Sequence, residues 1–336
     1  MLDDLRHGAA LAGLVRAEMR AALLRSGLRS GLLAGVREWT TADALASAHG
    51  LDKALATAWL TALEAHGLAQ REGERFRAAG IARWLLDSSV ADAASAALEQ
   101  SAYAYAPVLS HLPELMQSER RPSWGSREQA LRTARASRLS ERRALAALHR
   151  IPGAKKARRI LDVGCGEAHM LAALLARYRD ALGTGVELDA RVAERAQETL
   201  EAAHVQRRGE IRSGDFFAAQ LPHAFDLALL NNNLHYFEEA RWPGLFARIA
   251  DHLAPDGLVA IQTPLLVDGT LARMSGARAT LATFDLFLRA HANLSGLPDL
   301  ARLEAALRGA GFAQVGTQPV LPGGSLCFVW ARMPAR

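Results

Sequence analysis

Apolar residues recur at helical spacing through the first part of the chain, over 9–26, 42–49 and 53–66. Thr41 is a candidate N-cap for the second of these segments, and Gly67 follows the third. We see no strand pattern before Gln70. The spacing therefore predicts a helix-turn-helix.

Two short polar-apolar segments follow, 68–71 and 75–77, with Gly73 between them. This pattern is typical of a hairpin that turns at a glycine. A hairpin directly after a helix-turn-helix predicts the wing of a winged helix.

Helical spacing returns over 80–116 and ends in the polar stretch 117–125, which we take as a linker. A further helix is predicted from about Arg127 to His149. We therefore place a helical, winged-helix-like domain at 1–125 and the rest of the chain, a linker helix and a second domain, at 126–336.

From Arg159 onward, short apolar runs alternate with amphipathic helices, which is typical of β-α units and a parallel sheet. The predicted strands are 159–163, 183–188, 210–213, 225–230 and 257–263, and the predicted helices are 167–178, 189–203, 240–253, 269–291 and 298–310. Residues 312–320 and 325–333 flank a Leu-Pro-Gly-Gly turn and predict an antiparallel hairpin at the sheet edge.

Composition narrows the classes of protein to which the chain can belong. Half of the 336 residues are hydrophobic and 22% are charged, as in an ordinary globular chain of about two domains. No apolar run is long enough for a membrane span and no signal-peptide core is visible, so we expect a cytoplasmic protein without a membrane partner. Two cysteines and scattered histidines give no metal-site spacing, so we expect no metal.

A net charge of +5 raises the question of nucleic acid. The candidate recognition helix, 52–64, carries one lysine and two acids, which disfavours DNA binding. The basic cluster at 155–159 has no interleaved aromatic residues, which disfavours RNA. We expect no nucleic-acid partner.

Two glycines, Gly164 and Gly166, lie where a buried strand turns into a helix, in Asp-Val-Gly-Cys-Gly. Glycine lets a ligand approach the backbone there, and the helix N-terminus offers free N–H groups. A glycine turn of this kind is also common without a ligand. Its position at the carboxyl end of the strand nevertheless suits a nucleotide-type cofactor.

Carboxylates end the next two strands. Glu187 lies at the tip of the second strand, where an acid accepts hydrogen bonds from ribose hydroxyls. At the third strand, Asp215 suits an adenine amine and Phe216 suits the face of its ring, although Phe216 or Phe217 is equally suited to the core. Three successive amides, 231–233, end the fourth strand and should face a polar site.

The order of these motifs, together with Leu-His-Tyr-Phe at 234–237, resembles class I S-adenosylmethionine-dependent methyltransferases over residues 159–333. With the N-terminal winged helix, the chain resembles plant-type and bacterial small-molecule O-methyltransferases. The resemblance implies an α/β, Rossmann-like, seven-stranded and mostly parallel sheet with an antiparallel last strand. It also implies S-adenosyl-L-methionine as cofactor and a homodimer formed through the N-terminal domain. The family's third loop glycine is Ala168 here.

The resemblance assigns residues to the cofactor. The amino-acid end falls to Asp162, Gly164 and Gly166, and Asn231 occupies a position that often carries a lysine in the family. The implied set is Asp162, Gly164, Gly166, Glu187, Leu188, Asp215, Phe216 and Asn231.

His235 lies at the position of the family's catalytic histidine, and an imidazole suits deprotonation of a phenol at neutral pH. The family's acidic partners are replaced by Tyr236 and Gln262, and 294–298 contains no acid. O-methylation with His235 as base therefore competes with N- or C-methylation by placement alone, and with a catalytically silent cofactor-binding protein.

The acceptor is expected to be small, natural-product-like and aromatic or otherwise apolar. The candidate acceptor contacts come from the end of the fourth strand, the helix after the fifth strand and the region before the sheet domain; they are Asn232, Tyr236, Met274, Phe284, Phe287, His291, Tyr103 and Trp124. Apolar residues at helical spacing are more often core, so we expect fewer than half of them to touch ligand.

Overall fold

The structure is a computed structural model that describes residues 2–117, 120–266, 273–274 and 276–335. Its contacts divide the chain into two compact units. The first comprises Met1–Pro107 with Glu128–Leu139, and the second comprises Val108–Arg127 with Ser140–Arg336. The chain thus passes between the units three times, whereas the sequence predicts one boundary at residue 125, which stays a prediction.

The first unit consists of helices and a small sheet. Its helices are α1 (Leu2–Arg29), α2 (Ala42–His49), α3 (Lys53–Ala65), α4 (Gly80–Asp87) and α5 (Ala91–Gln100), and a π-helical turn spans Ser101–Tyr105. Its strands are β1 (Thr40–Thr41), β2 (Ala69–Glu72) and β3 (Arg75–Ala78). The strands lie in the order β1-β3-β2 and are antiparallel.

The predicted helix-turn-helix and wing form as expected. The Thr41 hydroxyl accepts a hydrogen bond from the Ala44 N–H (3.2 Å), and the Asp52 carboxylate accepts one from the Leu55 N–H (2.7 Å), so both helices are capped at their N-termini. Thr41 also belongs to β1, a third strand that the sequence pattern does not predict. The domain is therefore a winged helix with a three-stranded sheet rather than purely helical.

The helical region predicted over 80–116 consists of several shorter helices in the structure. Ser88 has extended backbone and ends α4, and a π-helical turn follows α5. Two short helices continue as α6 (Ala106–Ser110) and α7 (Leu112–Gln117). The long helix α8 (Arg127–Leu148) matches its prediction.

The second unit has alternating strands and helices. Its strands are β4 (Arg159–Val163), β5 (Leu182–Glu187), β6 (Gly209–Ser213), β7 (Phe225–Asn231), β8 (Leu253–Pro264), β9 (Gln314–Pro319) and β10 (Leu326–Arg332). Its later helices are α9 (His169–Arg177), α10 (Ala190–Ala202), α11 (Trp242–His252), α12 (Ala277–Arg289) and α13 (Leu300–Gly309). Residues 269–272, the start of the helix predicted over 269–291, lie outside the described residues.

The seven strands form one sheet in the order β6-β5-β4-β7-β8-β10-β9. Strands β4 to β8 pair in parallel, and β10 is antiparallel to both β8 and β9. The predicted Rossmann-like sheet with an antiparallel last strand is therefore confirmed. The parallel strands end at one edge of the sheet, where ligands bind in open α/β folds.

Each face of the sheet has its own apolar core. Ile160, Leu227 and Leu229 pack in a cluster with residues of α9 and α10, and Leu161 and Val163 pack in another with residues of α11 and α13. Burial on both faces explains why the central strands read as continuous apolar runs. None of the described helices has the length and apolar character that a bilayer span requires.

Candidate active site

The glycine loop joins β4 to α9 through three residues with left-handed backbone. Gly164 has φ 62°, Gly166 has φ 56° and Ala168 has φ 58°. A left-handed conformation suits glycine and is strained for alanine. The left-handed backbone at position 168 would be unstrained for a glycine. Ala168 is fully buried, and its side chain offers no cap to α9.

Glu187, at the end of β5, forms a hydrogen bond with this loop. Its carboxylate accepts hydrogen bonds from the Gly166 N–H (2.9 Å) and the Asp189 N–H (3.1 Å). The acid predicted for a ribose therefore lies against the glycine loop, and each oxygen retains a lone pair for a ligand. Leu188 follows it with 73% of its surface exposed, so it offers an apolar surface beside that acid.

A buried polar cluster joins the ends of β4 and β7. Asp162 is 1% exposed, and the Asn231 amide donates a hydrogen bond to its carboxylate (3.3 Å). Burial raises the pKa of Asp162 to about 7; the Asn231 hydrogen bond opposes this shift and the charge of Glu187 adds to it. Asp162 is therefore partly protonated at neutral pH.

Four buried oxygen atoms of this region have no hydrogen-bond partner among the described residues: Oδ2 of Asp162 and Oδ1 of Asn231, Asn232 and Asn233. Buried acceptors without partners are costly, about 1–3 kcal/mol each. A ligand with several N–H donors and a positive charge would satisfy them. The amino-acid end of S-adenosylmethionine carries an ammonium group, so the residues present fit this cofactor.

The loop after β6 carries the residues predicted for adenine. Asp215 is exposed, and one of its carboxylate oxygens accepts a hydrogen bond from the Phe217 N–H (3.0 Å). Phe216 is 5% exposed and packs in the core with the Arg248 guanidinium over its ring. Phe217 is less buried and lies under Arg241. The structure places Phe216 in the core; its predicted cofactor contact stays a prediction.

His235 lies on a short turn after β7, at Leu234–Tyr236. Its ring is 4.7 Å from that of Tyr236 and 5.9 Å from that of Phe284, between centroids. Burial lowers the pKa of His235 to about 4, so the imidazole is neutral above pH 5. Among the described residues no carboxylate bonds to this ring, in keeping with the replaced acids.

The rings of His235, Tyr236 and Phe284 belong to a larger group, which we call the aromatic cluster. Neighbouring rings of this cluster are in contact. Phe284 stacks on Phe287 at 6.3 Å, and Phe287 lies 4.5 Å from His291 and 4.9 Å from Trp124. The members of the cluster are His235, Tyr236, Phe284, Phe287, His291 and Trp124. Most of the predicted acceptor residues are thus brought together.

Trp124 packs against the rest of the cluster from a segment that is distant in sequence. Its backbone N–H donates to the Asn293 side chain (2.7 Å), and the Asn293 amide donates to the Trp124 carbonyl (2.6 Å). Burial raises the pKa of Tyr236, and the nearby Trp124 indole opposes this shift. Asn293 therefore fixes Trp124, a role that no local sequence signal indicates.

Two predicted acceptor residues are not members of the aromatic cluster. Met274 is 82% exposed. Tyr103 belongs to the first unit, where the Arg29 guanidinium donates to its hydroxyl (2.9 Å).

Asn232 has left-handed backbone and donates its N–H to the Gln262 carbonyl (2.9 Å). In the described ranges, no group of three histidine, cysteine or acidic side chains is placed to hold a metal ion.

Asn233 is a site residue to which the sequence assigns no individual role. Its amide donates to the carbonyl groups of Val163 and Gly164, so it joins the end of β7 to the glycine loop. The run of three asparagines is the signal that points to it, but local sequence does not separate its role from those of its neighbours.

Comparison with known proteins gives matches to methyltransferases. Residues 160–257 match a family model described as a methyltransferase domain. A 3-hydroxy-5-methyl-1-naphthoate 3-O-methyltransferase of Streptomyces sahachiroi is 37% identical over 111 residues, which cover 33% of this chain and 32% of that relative. The alignment thus spans about a third of the relative's length.

Solved structures share the fold over nearly the whole chain. The mitomycin 7-O-methyltransferase MmcR superposes with a TM-score of 0.79 at 20% identity, covering 99% of both chains. Human N-acetylserotonin methyltransferase, solved with S-adenosylmethionine, gives a TM-score of 0.75 at 17% identity and covers 98% of both chains. Residues 160–257 are therefore a methyltransferase domain, and the strand order and the buried acceptors at the glycine loop agree with the class I S-adenosylmethionine-dependent type.

Proposed function

We propose that this protein transfers a methyl group from S-adenosylmethionine to a hydroxyl group of a small, uncharged, aromatic acceptor. The observation that carries the proposal is the aromatic cluster, which begins at His235, two residues from the Asn233 that contacts the glycine loop. Burial lowers the pKa of His235 and of His291, so no member of the cluster is charged at neutral pH. Such a surface favours a flat apolar ligand over a carboxylate or phosphate ester.

The cofactor supplies an electrophilic methyl group on a sulfonium. We assign its amino-acid end to Asp162 and Asn231, its ribose to Glu187, and its adenine to Asp215. The other residues assigned to it lie at the same edge of the sheet: Gly164, Gly166, Leu188 and Phe216. A cofactor held by these residues would present its methyl group at this edge, where alignment with the acceptor is the main requirement of a displacement at carbon.

We assign proton removal to His235. The imidazole is neutral at pH 7 and its ring nitrogens have no hydrogen-bond partner in the described part of the chain, so it can accept a proton from a hydroxyl. Aromatic neighbours and the lack of a carboxylate partner make the imidazolium form unfavourable, so His235 is a weak base. The best acceptors are therefore acidic hydroxyls, phenols rather than alcohols.

A series of phenols with pKa values from about 7 to about 10, assayed at pH 8, tests this assignment. With His235→Gln, phenols of high pKa should lose about 10²–10⁴ in rate, because their proton must be removed. Phenols already ionised at pH 8 should lose little. An equal loss across the series would show that His235 shapes the site without acting as a base.

The low pKa of His235 and its missing carboxylate also favour a second candidate, N- or C-methylation by placement alone. In that case amines or conjugated carbon acceptors would react at wild-type rates with His235→Gln. The same variant, tested on both kinds of acceptor, separates the two functions.

The proposed homodimer is supported by the first unit. Helix α1 exposes Leu5, Leu11 and Leu14 to 63–70%, a concentration of apolar surface that is unusual on a lone chain. Light scattering after gel filtration should give a dimer for the wild type and a monomer for Leu14→Glu. Leu55→Glu, at an equally exposed leucine of α3, should remain a dimer. A monomeric wild type would contradict the proposal.

A further inference from the structure

We infer that Asn233 is a positioning residue that holds the glycine loop in its cofactor-binding form and ties it to the turn that carries His235. The effect on cofactor binding follows from the class of the protein. The effect on His235 rests on the proposed function, so the two are measured separately.

The side chain of Asn233 is 8% exposed, and its Nδ2 group donates to the carbonyl of Val163 and to that of Gly164 (3.2 Å). Carbonyl groups only accept hydrogen bonds, so the orientation of the amide is determined by its neighbours. Both protons of Nδ2 are used at the start of the loop. The asparagine thus holds the first two peptide units of the turn from β4.

Gly164 and Asn233 fit each other. Gly164 has φ 62°, and a Cβ atom added to it would overlap Nδ2 of Asn233. The absence of a side chain at position 164 is what admits the amide between the two carbonyls. Glycine is needed here for its backbone conformation and for the space that Asn233 occupies.

The backbone of Asn233 supports the neighbouring turn. Its carbonyl accepts a hydrogen bond from the Tyr236 N–H (3.0 Å), which closes the turn at Leu234–Tyr236 around His235. One residue therefore holds the cofactor loop with its side chain and the His235 turn with its main chain. Displacing either element displaces the other.

The remaining atom of the amide, Oδ1, is buried without a partner. A leucine of similar shape would avoid the cost of that buried oxygen. The asparagine is therefore useful through its two Nδ2 hydrogen bonds, and through Oδ1 when a ligand donor reaches it. Core packing alone does not account for an amide at this position.

The test is calorimetric titration of S-adenosylhomocysteine into the full-length protein, which needs no acceptor. Asn233→Ala and Asn233→Leu should each raise the Kd at least tenfold, because the loop loses both hydrogen bonds. Asn293→Ala is the matched control: it also removes hydrogen bonds to backbone, at Trp124, and should leave the Kd within twofold of wild type.

Melting temperatures separate positioning from stability. A Kd within twofold of wild type in both Asn233 variants overturns the inference, whatever the change in melting temperature. If neither variant folds, Asn233→Asp, which keeps the shape but has no N–H donor, should show the same tenfold loss. Gly164→Ala with Asn233→Ala should lose less affinity than the sum of the single losses, because the overlap with Nδ2 is gone.

The effect of Asn233 on the turn that carries His235 is measured from reaction rates at saturating S-adenosylmethionine. Asn233→Ala should lower kcat as well as raise KM for the cofactor, and should lower kcat no further when His235→Gln is already present. An unchanged kcat with a raised Kd limits Asn233 to the cofactor loop and overturns the tie. If His235 is not the base, the S-adenosylhomocysteine titration still decides the role of Asn233 at the loop.

Discussion

Asp162→Asn removes a fully buried carboxylate at the proposed cofactor site, and it tests whether this group receives the cationic end of the ligand. Asp162 is 1% exposed, and burial raises its pKa to about 7. Its Oδ2 atom has no partner. The free protein should therefore carry a proton on Asp162 at pH 6 and should lose it when an ammonium group binds.

The size of the effect follows from that pKa. With a pKa of about 7, Asp162 is about 90% protonated at pH 6 and half protonated at pH 7. Binding should release about 0.9 proton at pH 6, and the affinity should be about fivefold tighter at pH 7 than at pH 6. The amino group of the ligand is already charged at pH 6, since an α-amino pKa is near 8.

Titration of S-adenosylhomocysteine at pH 6, in two buffers with different heats of ionisation, measures the proton released. Asp162→Asn should release none, should bind at least tenfold more weakly, and should lose the dependence of affinity on pH. Asp215→Asn removes an exposed carboxylate at the same edge and should keep the release. Proton release in Asp162→Asn equal to that of wild type would refute the reasoning, as would no release in the wild type.

Three further outcomes are expected. Without ligand, Asp162→Asn should stabilise the protein more at pH 8 than at pH 5 in urea unfolding, because a carboxyl pKa raised on folding costs stability increasingly between about 4 and 7. His235→Phe should weaken the loss of stability as pH falls from about 6.5 to 4, where an unfolded histidine takes a proton that the buried one refuses. Phe328→Ala, at a fully buried ring beside β8, should cost about 3–5 kcal/mol in the same assay, and a cost below 1 kcal/mol would contradict the packing.

Local sequence determined most of the elements of this protein, although not the short strand β1. The strand over Arg159–Val163 and the helix at Ala42–His49 end where predicted, because hydrophobic periodicity and helix caps act within a few residues. The glycines at the end of β4 and the carboxylate at the end of β5 likewise identify the cofactor edge, since parallel strands all end there.

Tertiary structure decided what depends on contacts between distant segments. The pairing of β10 with β8 and the packing of Trp124 on Phe287 join residues far apart in the chain, so no local pattern reports them. The pKa of His235 is set by the rings that bury it, and the role of Asn233 by two carbonyl groups of another strand. Burial and hydrogen bonds between distant segments exist only in the folded chain, whereas the helix and strand propensities of a segment depend on its local sequence.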